Sequence, residues 1–182
     1  ITPNRVDCAS VYGIARDLSA SGFGTLKNID FPKIDSSFKT EIKINNTLKN
    51  TDCPQFSLRQ IKVVKNSQLS EKIIKRFNFS DLKVISTLVD ITNYITIDYC
   101  RPLHVFDFDK IKGDITIRHS KKGEKFIGLD DVEYILDDGM VVICDDSKII
   151  SLAGVLGGKD TACDKDTKNV LTTEQRMKLM TF

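Results

Sequence analysis

The chain has 182 residues, 41% hydrophobic and 29% charged, which is ordinary globular composition and excludes a wholly disordered chain. Its 27 basic and 25 acidic side chains leave a net charge of +2, too balanced for a purely electrostatic grip on a phosphate backbone, so an RNA partner would need a local patch or a hold elsewhere. The longest apolar runs, such as Met140–Cys144 and Lys148–Val155, are broken by charge or too short to cross a bilayer, and no membrane span is expected.

The first residues, Ile1-Thr2-Pro3-Asn4-Arg5, lack the basic start and apolar core of a signal peptide. They also lack an initiating Met, as expected of a piece cut from a longer protein. From Cys8, apolar residues recur at Val11, Tyr12, Ala15 and Leu18, the spacing of one helical face, with Asp7 as the expected N-cap and Gly22 at the expected stop. Gly22–Leu26 and Phe31-Pro32 form a connector without period, so residues 1–35 are expected as a flanking helix and linker, with the main domain beginning at 36.

Within that domain, Phe38–Ile44 is expected as a strand that Asn45-Asn46 breaks, and Phe56–Val64 as a second. Ser67 or Ser70 can cap a short helix bearing Leu69, Ile73, Ile74 and Phe77. Over Val84–Tyr99, residues Leu88, Ile91, Thr92, Ile95 and Tyr99 share one helical face. The β-branched residues there favour a strand individually, but so long a strand without a turn residue is rare, so a helix is predicted. From Pro102 the texture changes to short strands at Asp114–Arg118, Glu124–Ile127, Val132–Leu136, Met140–Cys144 and Lys148–Leu152. The punctuation between them (Lys122-Gly123, Asp130-Asp131, Asp137-Asp138-Gly139, Asp145-Asp146) suits an antiparallel meander curled into a partly open barrel.

The five cysteines, Cys8, Cys53, Cys100, Cys144 and Cys163, are scattered and form no C-x-x-C pair. They read as reduced thiols of a cytoplasmic protein, and with only His104 and His119 beside them no conventional metal site is expected. Three segments look over-specified for packing: Val89-Asp90-Ile91-Thr92-Asn93-Tyr94, Arg101-Pro102-Leu103-His104-Val105-Phe106-Asp107, and Leu152-Ala153-Gly154-Val155-Leu156-Gly157-Gly158. His104 beside Asp107 reads either as an oriented imidazole acting on a proton or as a histidine bonded to a neighbouring loop. Gly154, Gly157 and Gly158 either admit a ligand to the backbone and present N–H donors or end a strand in a turn. Thr92 and Asn93 either point into a pocket or, for a mid-helix threonine, bond the preceding turn. A P-loop is excluded, because Ala153 replaces its first glycine and Asp160 follows Lys159; no G-x-S-x-G elbow occurs.

The three segments, in this order and spacing, resemble the editing domain of the bacterial phenylalanyl-tRNA synthetase beta subunit. The flanks agree. Thr2-Pro3-Asn4-Arg5, Asp7-Cys8 and Gly13-Ile14-Ala15-Arg16-Asp17-Leu18 resemble the segment preceding that domain, and Gly22–Leu26 resembles the linker of alphaproteobacterial-type members. Cys53-Pro54 is similar to the family's opening strand and Gly123-Glu124 to its hairpin, so the likeness runs from residue 1 to about Leu171. It implies an α/β (α+β) fold of short helices packed on antiparallel strands in a partly open barrel, with the editing domain at 36–171 and a divergent tail at 172–182.

The resemblance also implies binding of tRNA(Phe) and hydrolysis of tyrosine wrongly esterified to it. A pocket built for an apolar ring cannot strongly reject an isostere that adds a hydroxyl, so a second site must cleave the ester. Carried over by residue, Thr92 and Asn93 match positions lining the editing pocket, Pro102 and His104 the loop beside the ester, and Gly154 and Gly157 the backbone closing on the tyrosine. The implied chemistry is water attack without a covalent nucleophile, with His104 as water-positioner, Thr92 the other catalytic residue, backbone N–H donors stabilising the oxyanion, and the adenosine end with its hydroxyls as the proton relay. No cofactor is implied here: ATP and Mg²⁺ belong to the active site of the alpha subunit, the partner in the implied heterotetramer.

After Val170-Leu171 the family continues with Leu-Glu, whose Glu reads the tyrosine hydroxyl, whereas this chain has Thr172-Thr173, with Glu174 displaced by one. Thr173 therefore stands at the substrate-reading position, and the extension beyond Leu171 is expected to fray. Cys100-Arg101 replaces the commoner Gly-Gln, a milder departure. A structural, RNA-contacting module with a decayed editing site is the first alternative. A stand-alone RNA-binding or small-ligand domain of related fold is the second.

Overall fold

The computed structural model describes residues 1, 2, 4–67 and 69–176. The first helix begins later than its periodicity suggests. Cys8, 2% exposed, lies in a 3-10 turn (Val6–Cys8), and α1 spans Val11–Ala20. Ser10 caps it in place of Asp7, its hydroxyl accepting from the Gly13 N–H at 3.0 Å. Asp7 is engaged instead by Arg5 and Arg16, which hold its carboxyl down at about 2, the Arg5 hydrogen bond being the main cause. Gly22, with φ +83°, follows the C-cap Ser21, so the stop falls where expected.

The strand predicted over Phe38–Ile44 is a correction. β1 is only Ile44–Asn46, and Asn45-Asn46 continue it because they pair in parallel with a distant strand. β2 (Gln55–Ile61) alternates inward Phe56, Leu58 and Gln60 with exposed partners, and it stops short of Val64 because Val63 takes a left-handed φ of 58°. Ser70 precedes α2 (Glu71–Phe79), which buries Phe77 and leaves Phe79 93% exposed. α3 (Thr87–Tyr99) is helical despite its β-branched content and ends at Cys100, whose left-handed backbone (φ 53°) returns its N–H to the Thr96 carbonyl at 2.8 Å.

β3 (Leu103–Asp107), β4 (Ile115–His119), β5 (Lys125–Ile127), β6 (Glu133–Ile135), β7 (Val141–Cys144), β8 (Ile149–Leu152), β9 (Leu156–Gly157) and β10 (Val170–Arg176) complete the described elements. Three sheets result, in orders β1-β4-β7-β8-β9, β2-β10-β3 and β5-β6. β1–β4 is parallel and the other strand pairs are antiparallel. The sheets do not close on one another, which makes this the mixed α+β, partly open barrel expected from the strand spacing. The β7–β8 turn is pinned by Asp145, whose carboxylate accepts from the N–H groups of Ser147, Lys148 and the distant Lys112 at 2.7–3.0 Å.

The core lies between the two larger sheets. Ile115, Ile117, Ile143 and Ile150 from one and Phe106 and Leu171 from the other are each 0–1% exposed, and such burial contributes about 1.5–3 kcal/mol per side chain. A second cluster, Phe126, Leu136, Val142 and Cys144, fills the other face of β7. Fraying does not hold for Thr172–Arg176, which lie in β10, paired with both β2 and β3 to Glu174 and with β2 alone at Gln175 and Arg176; residues 177–182 lie outside the described residues. No described helix is long and apolar enough to cross a membrane.

Candidate functional site

The pleat of β3 puts His104 and Phe106 on one face and Leu103, Val105 and Asp107 on the other. His104 is therefore a strand residue and not part of a loop. Its partner in register on β10 is Thr173, and Thr173 faces Leu58 on β2, giving a cross-strand row Leu58–Thr173–His104. Phe106, two residues along, holds the imidazole edge-on at 4.3 Å between ring centroids.

Gly157 on β9 closes over the same ring. A Cβ there would collide with His104 Cε1, lie 2.7 Å from Nε2 and 3.0 Å from Leu129 Cδ1. Glycine is needed at 157 so that the imidazole can pack against bare backbone. Its carbonyl accepts from the Leu129 N–H at 3.0 Å, while the Gly158 N–H donates to Ile150 O at 2.8 Å and is not a free donor. Gly154 is exposed, with φ +72°, in the turn joining β8 to β9, so its glycine answers to the turn.

Burial pushes the His104 imidazole down to about 4, so the ring is neutral at physiological pH. Among the described residues it makes no side-chain hydrogen bond. Asp107 cannot orient it from the opposite face: its carboxylate accepts from Asp109 N–H at 3.1 Å and from the Thr167 hydroxyl at 2.7 Å, with Lys110 Nζ at 3.4 Å. Thr173, 2% exposed, has a buried hydroxyl oxygen with no partner among the described residues. Thr173 thus holds a buried hydroxyl without a partner among the described residues, which a folded chain seldom tolerates away from a ligand or water, and the half-buried imidazole beside it is likewise unbonded there.

The other predicted residues are not brought into contact with this nucleus: Ile95 and Tyr99, on the α3 face that also carries Thr92, share a cavity with Leu103 and Glu174, on the side of the sheet away from His104. α3 packs along β3 and carries Thr92 and Asn93. The Thr92 hydroxyl donates to the Val89 carbonyl at 2.7 Å, and Thr92 O accepts from Thr96 Oγ1 at 2.9 Å, so the threonine bonds its own helix and keeps only acceptor capacity. Asn93 is half-buried and Pro102 is exposed just before β3. The structure brings together His104, Gly157 and Thr173. Sequence reasoning missed Phe106, Leu58 and Leu129 as walls of this site; alternation in β2 could have pointed to Leu58. Glu174, one residue beyond Thr173, faces away and pairs with Arg101 at 3.3 Å. No group of three His, Cys, Asp or Glu side chains among the described residues is arranged to hold a metal ion.

Known proteins share this sequence and fold. Residues 52–175 match the B3/4 domain. The chain is 46% identical over 171 residues to the phenylalanine–tRNA ligase beta subunit of Mesorhizobium japonicum, 45% over 172 to that of Nitrobacter winogradskyi and 44% over 173 to that of Brucella abortus. These alignments cover 94% of this chain but 21–22% of the relatives, so the chain spans about a fifth of the curated proteins it matches. Its fold matches an N-terminal fragment of the phenylalanyl-tRNA synthetase beta subunit from Pyrococcus horikoshii with a TM-score of 0.59 and 20% identity, covering 97% of this chain and 54% of that one. With more than half its length in the family match, and near relatives aligned over nearly all of it, the chain belongs to the B3/4 domain family.

Proposed function

We propose that this domain is the proofreading part of a phenylalanine–tRNA ligase beta subunit, binding tRNA(Phe) and hydrolysing tyrosine mistakenly esterified to it. The observation that carries the reading is the neutral His104 imidazole packed on the bare backbone of Gly157, next in register to Thr173, whose buried hydroxyl has no partner among the described residues. Similarity to beta subunits along nearly the whole chain supports the substrate class. The domain would act on the product of a synthetic site on the alpha subunit, where ATP and Mg²⁺ would bind, and would need no cofactor of its own. Its compartment would be that of its tRNA, the cytoplasm.

A neutral imidazole with a conjugate acid near pH 4 is a weak base but a competent hydrogen-bonding partner at pH 7. In this reading His104 orients the attacking water, and the Thr173 hydroxyl donates either to that water or to the aminoacyl group. The water oxygen adds to the ester carbonyl, and the C–O bond to the terminal ribose breaks. The ribose oxygen leaves with a proton, and tyrosine is released as the acid. Thr92, as an acceptor only, Asn93, Pro102 and Gly154 would join this site through their likeness to the family's pocket positions, not through a contact with His104.

One observation favours a second reading. The inward row holds Thr173 where a carboxylate would read a phenol, and Glu174 points to the other face, as expected of a scaffold whose editing has decayed. Deacylation of preformed Tyr-tRNA(Phe) by the full-length protein with its alpha subunit separates the two. We expect hydrolysis above the uncatalysed rate, falling by roughly tenfold to a hundredfold in His104→Ala and in Gly157→Ala, whose added methyl displaces the ring. Loss of ester at only the uncatalysed rate would leave the scaffold reading. Unchanged rates in both variants would remove His104 from the reaction.

A further inference from the structure

The outer edge of β2 forms one wall of a groove of about 1010 Å³, and the segment 34–40 forms the other. β10 occupies the opposite side of β2, so this edge is the free margin of its sheet. Lys39, Arg59 and Lys62 line the groove, with the hydroxyls of Ser36 and Ser37 and the ring of Phe38. Lys62 Nζ lies 4.5 Å from the Phe38 ring centroid, a cation–π contact that ties the walls together. Asp35 is the one carboxylate in the lining, and it lies 3.6 Å from Lys33.

Arg59 stands apart from the other described arginine side chains. Arg5, Arg16, Arg76, Arg101 and Arg118 each pair with a carboxylate, whereas Arg59 is exposed and faces none among the described residues. In a chain of net charge +2, three cationic residues lining one groove are a local concentration of positive charge. A guanidinium fork, two ammonium groups, hydroxyls and an aromatic ring lining one groove suit phosphodiester oxygens and an adjoining base. Leu58, also in the lining, begins the cross-strand row that ends at His104, two strand spacings or about 10 Å across the sheet, while Arg59 beside it projects from the opposite, exposed face of β2.

We propose that this groove seats the phosphodiester backbone of an RNA strand along the free edge of the sheet that carries His104. The partner's identity rests on the proofreading reading; the groove's preference for a polyanion does not. The test uses the full-length protein, fluorescently labelled uncharged tRNA(Phe) transcript as the probe, and the triple variant Lys39→Gln/Arg59→Gln/Lys62→Gln. Lys121→Gln/Lys122→Gln, in the turn before β5, serves as a charge-loss control. The groove variant should bind about tenfold more weakly near 0.1 M salt, with a slope of log affinity against log salt shallower by about 2, while the control stays within about twofold of the parent. Parent-like affinity and slope in the triple variant would overturn the proposal, as would an equal loss in the control. Single-turnover deacylation at saturating protein separates the two readings. A parent that does not hydrolyse the ester while the groove effect persists sinks the proofreading reading and leaves the groove standing. Hydrolysis with no groove effect does the reverse.

Discussion

The β1-β4-β7-β8-β9 sheet and the β2-β10-β3 sheet share one core but contribute to it differently. In the first, β7 is buried along its whole length, with Val141 and Ile143 in the main core and Val142 and Cys144 in the second cluster. In the other, apolar Phe106 and Leu171 give way, one pleat along, to polar His104 and Thr173. One sheet packs on both faces and thereby holds Gly157 still. The other presents polar groups to a place the first has dried. A rigid apolar wall opposite a polar row is how an imidazole can stay neutral and still be presented to a substrate.

Ile143→Ala attacks the wall and should have the largest effect, about 2–5 kcal/mol of unfolding free energy in denaturant titrations, since nothing near β7 can fill the void. A loss below about 1 kcal/mol would mean that the wall is softer than its burial implies. The next test concerns His104. Its folded value, about 4, lies below the ordinary 6.5, so below pH 6.5 the unfolded chain takes up a proton that the folded chain refuses. Stability should therefore fall as pH drops from about 6.5 to about 4, by at most about 3 kcal/mol, with no further loss from this group below that. His104→Gln should flatten that part of the curve; an unaltered profile would place the ring in water. The smallest effect is expected of Thr173→Val, which removes a partnerless buried hydroxyl at constant shape. Stability should be unchanged or rise by about 1 kcal/mol in the same denaturant titration, while ester hydrolysis falls roughly tenfold. A marked loss of stability would show that the hydroxyl has a protein partner after all.

What the sequence made legible follows from how local each signal is. α3 was readable because one helical face runs from Leu88 to Tyr99, and the hairpin strands were readable from their turn residues. β3 was hidden because Val105, Phe106 and Asp107 are all buried, which erases the alternation that marks a half-exposed strand. β1 and β10 were hidden for another reason: each is defined by partners 70 or more residues away for β1 and 60 or more for β10, and β10 also carries polar side chains that read as a chain end. At the amino terminus, burial of Cys8 in a 3-10 turn extended the apparent helical period backwards and made Asp7 look like a cap. His104, Gly157 and Thr173 were legible as residues. Their mutual contact was not, because it needs three strands distant in sequence, and the competing assignments of Asp107 and Thr92 were settled only by which way each side chain faces.

β10 lies in the middle of its sheet, hydrogen-bonded on both sides from Val170 to Glu174. Side chains on such a strand obey parity: Leu171 and Thr173 share the face of Phe106 and His104, while Val170, Thr172 and Glu174 take the other, on which Val170 is also buried but Glu174 is exposed. Substituting Glu174 therefore leaves the chemistry beside the imidazole untouched, whereas excising a single threonine before it would swing the acid indoors. Which side chain stands beside His104 is therefore set by the count of residues along β10 as much as by their identity.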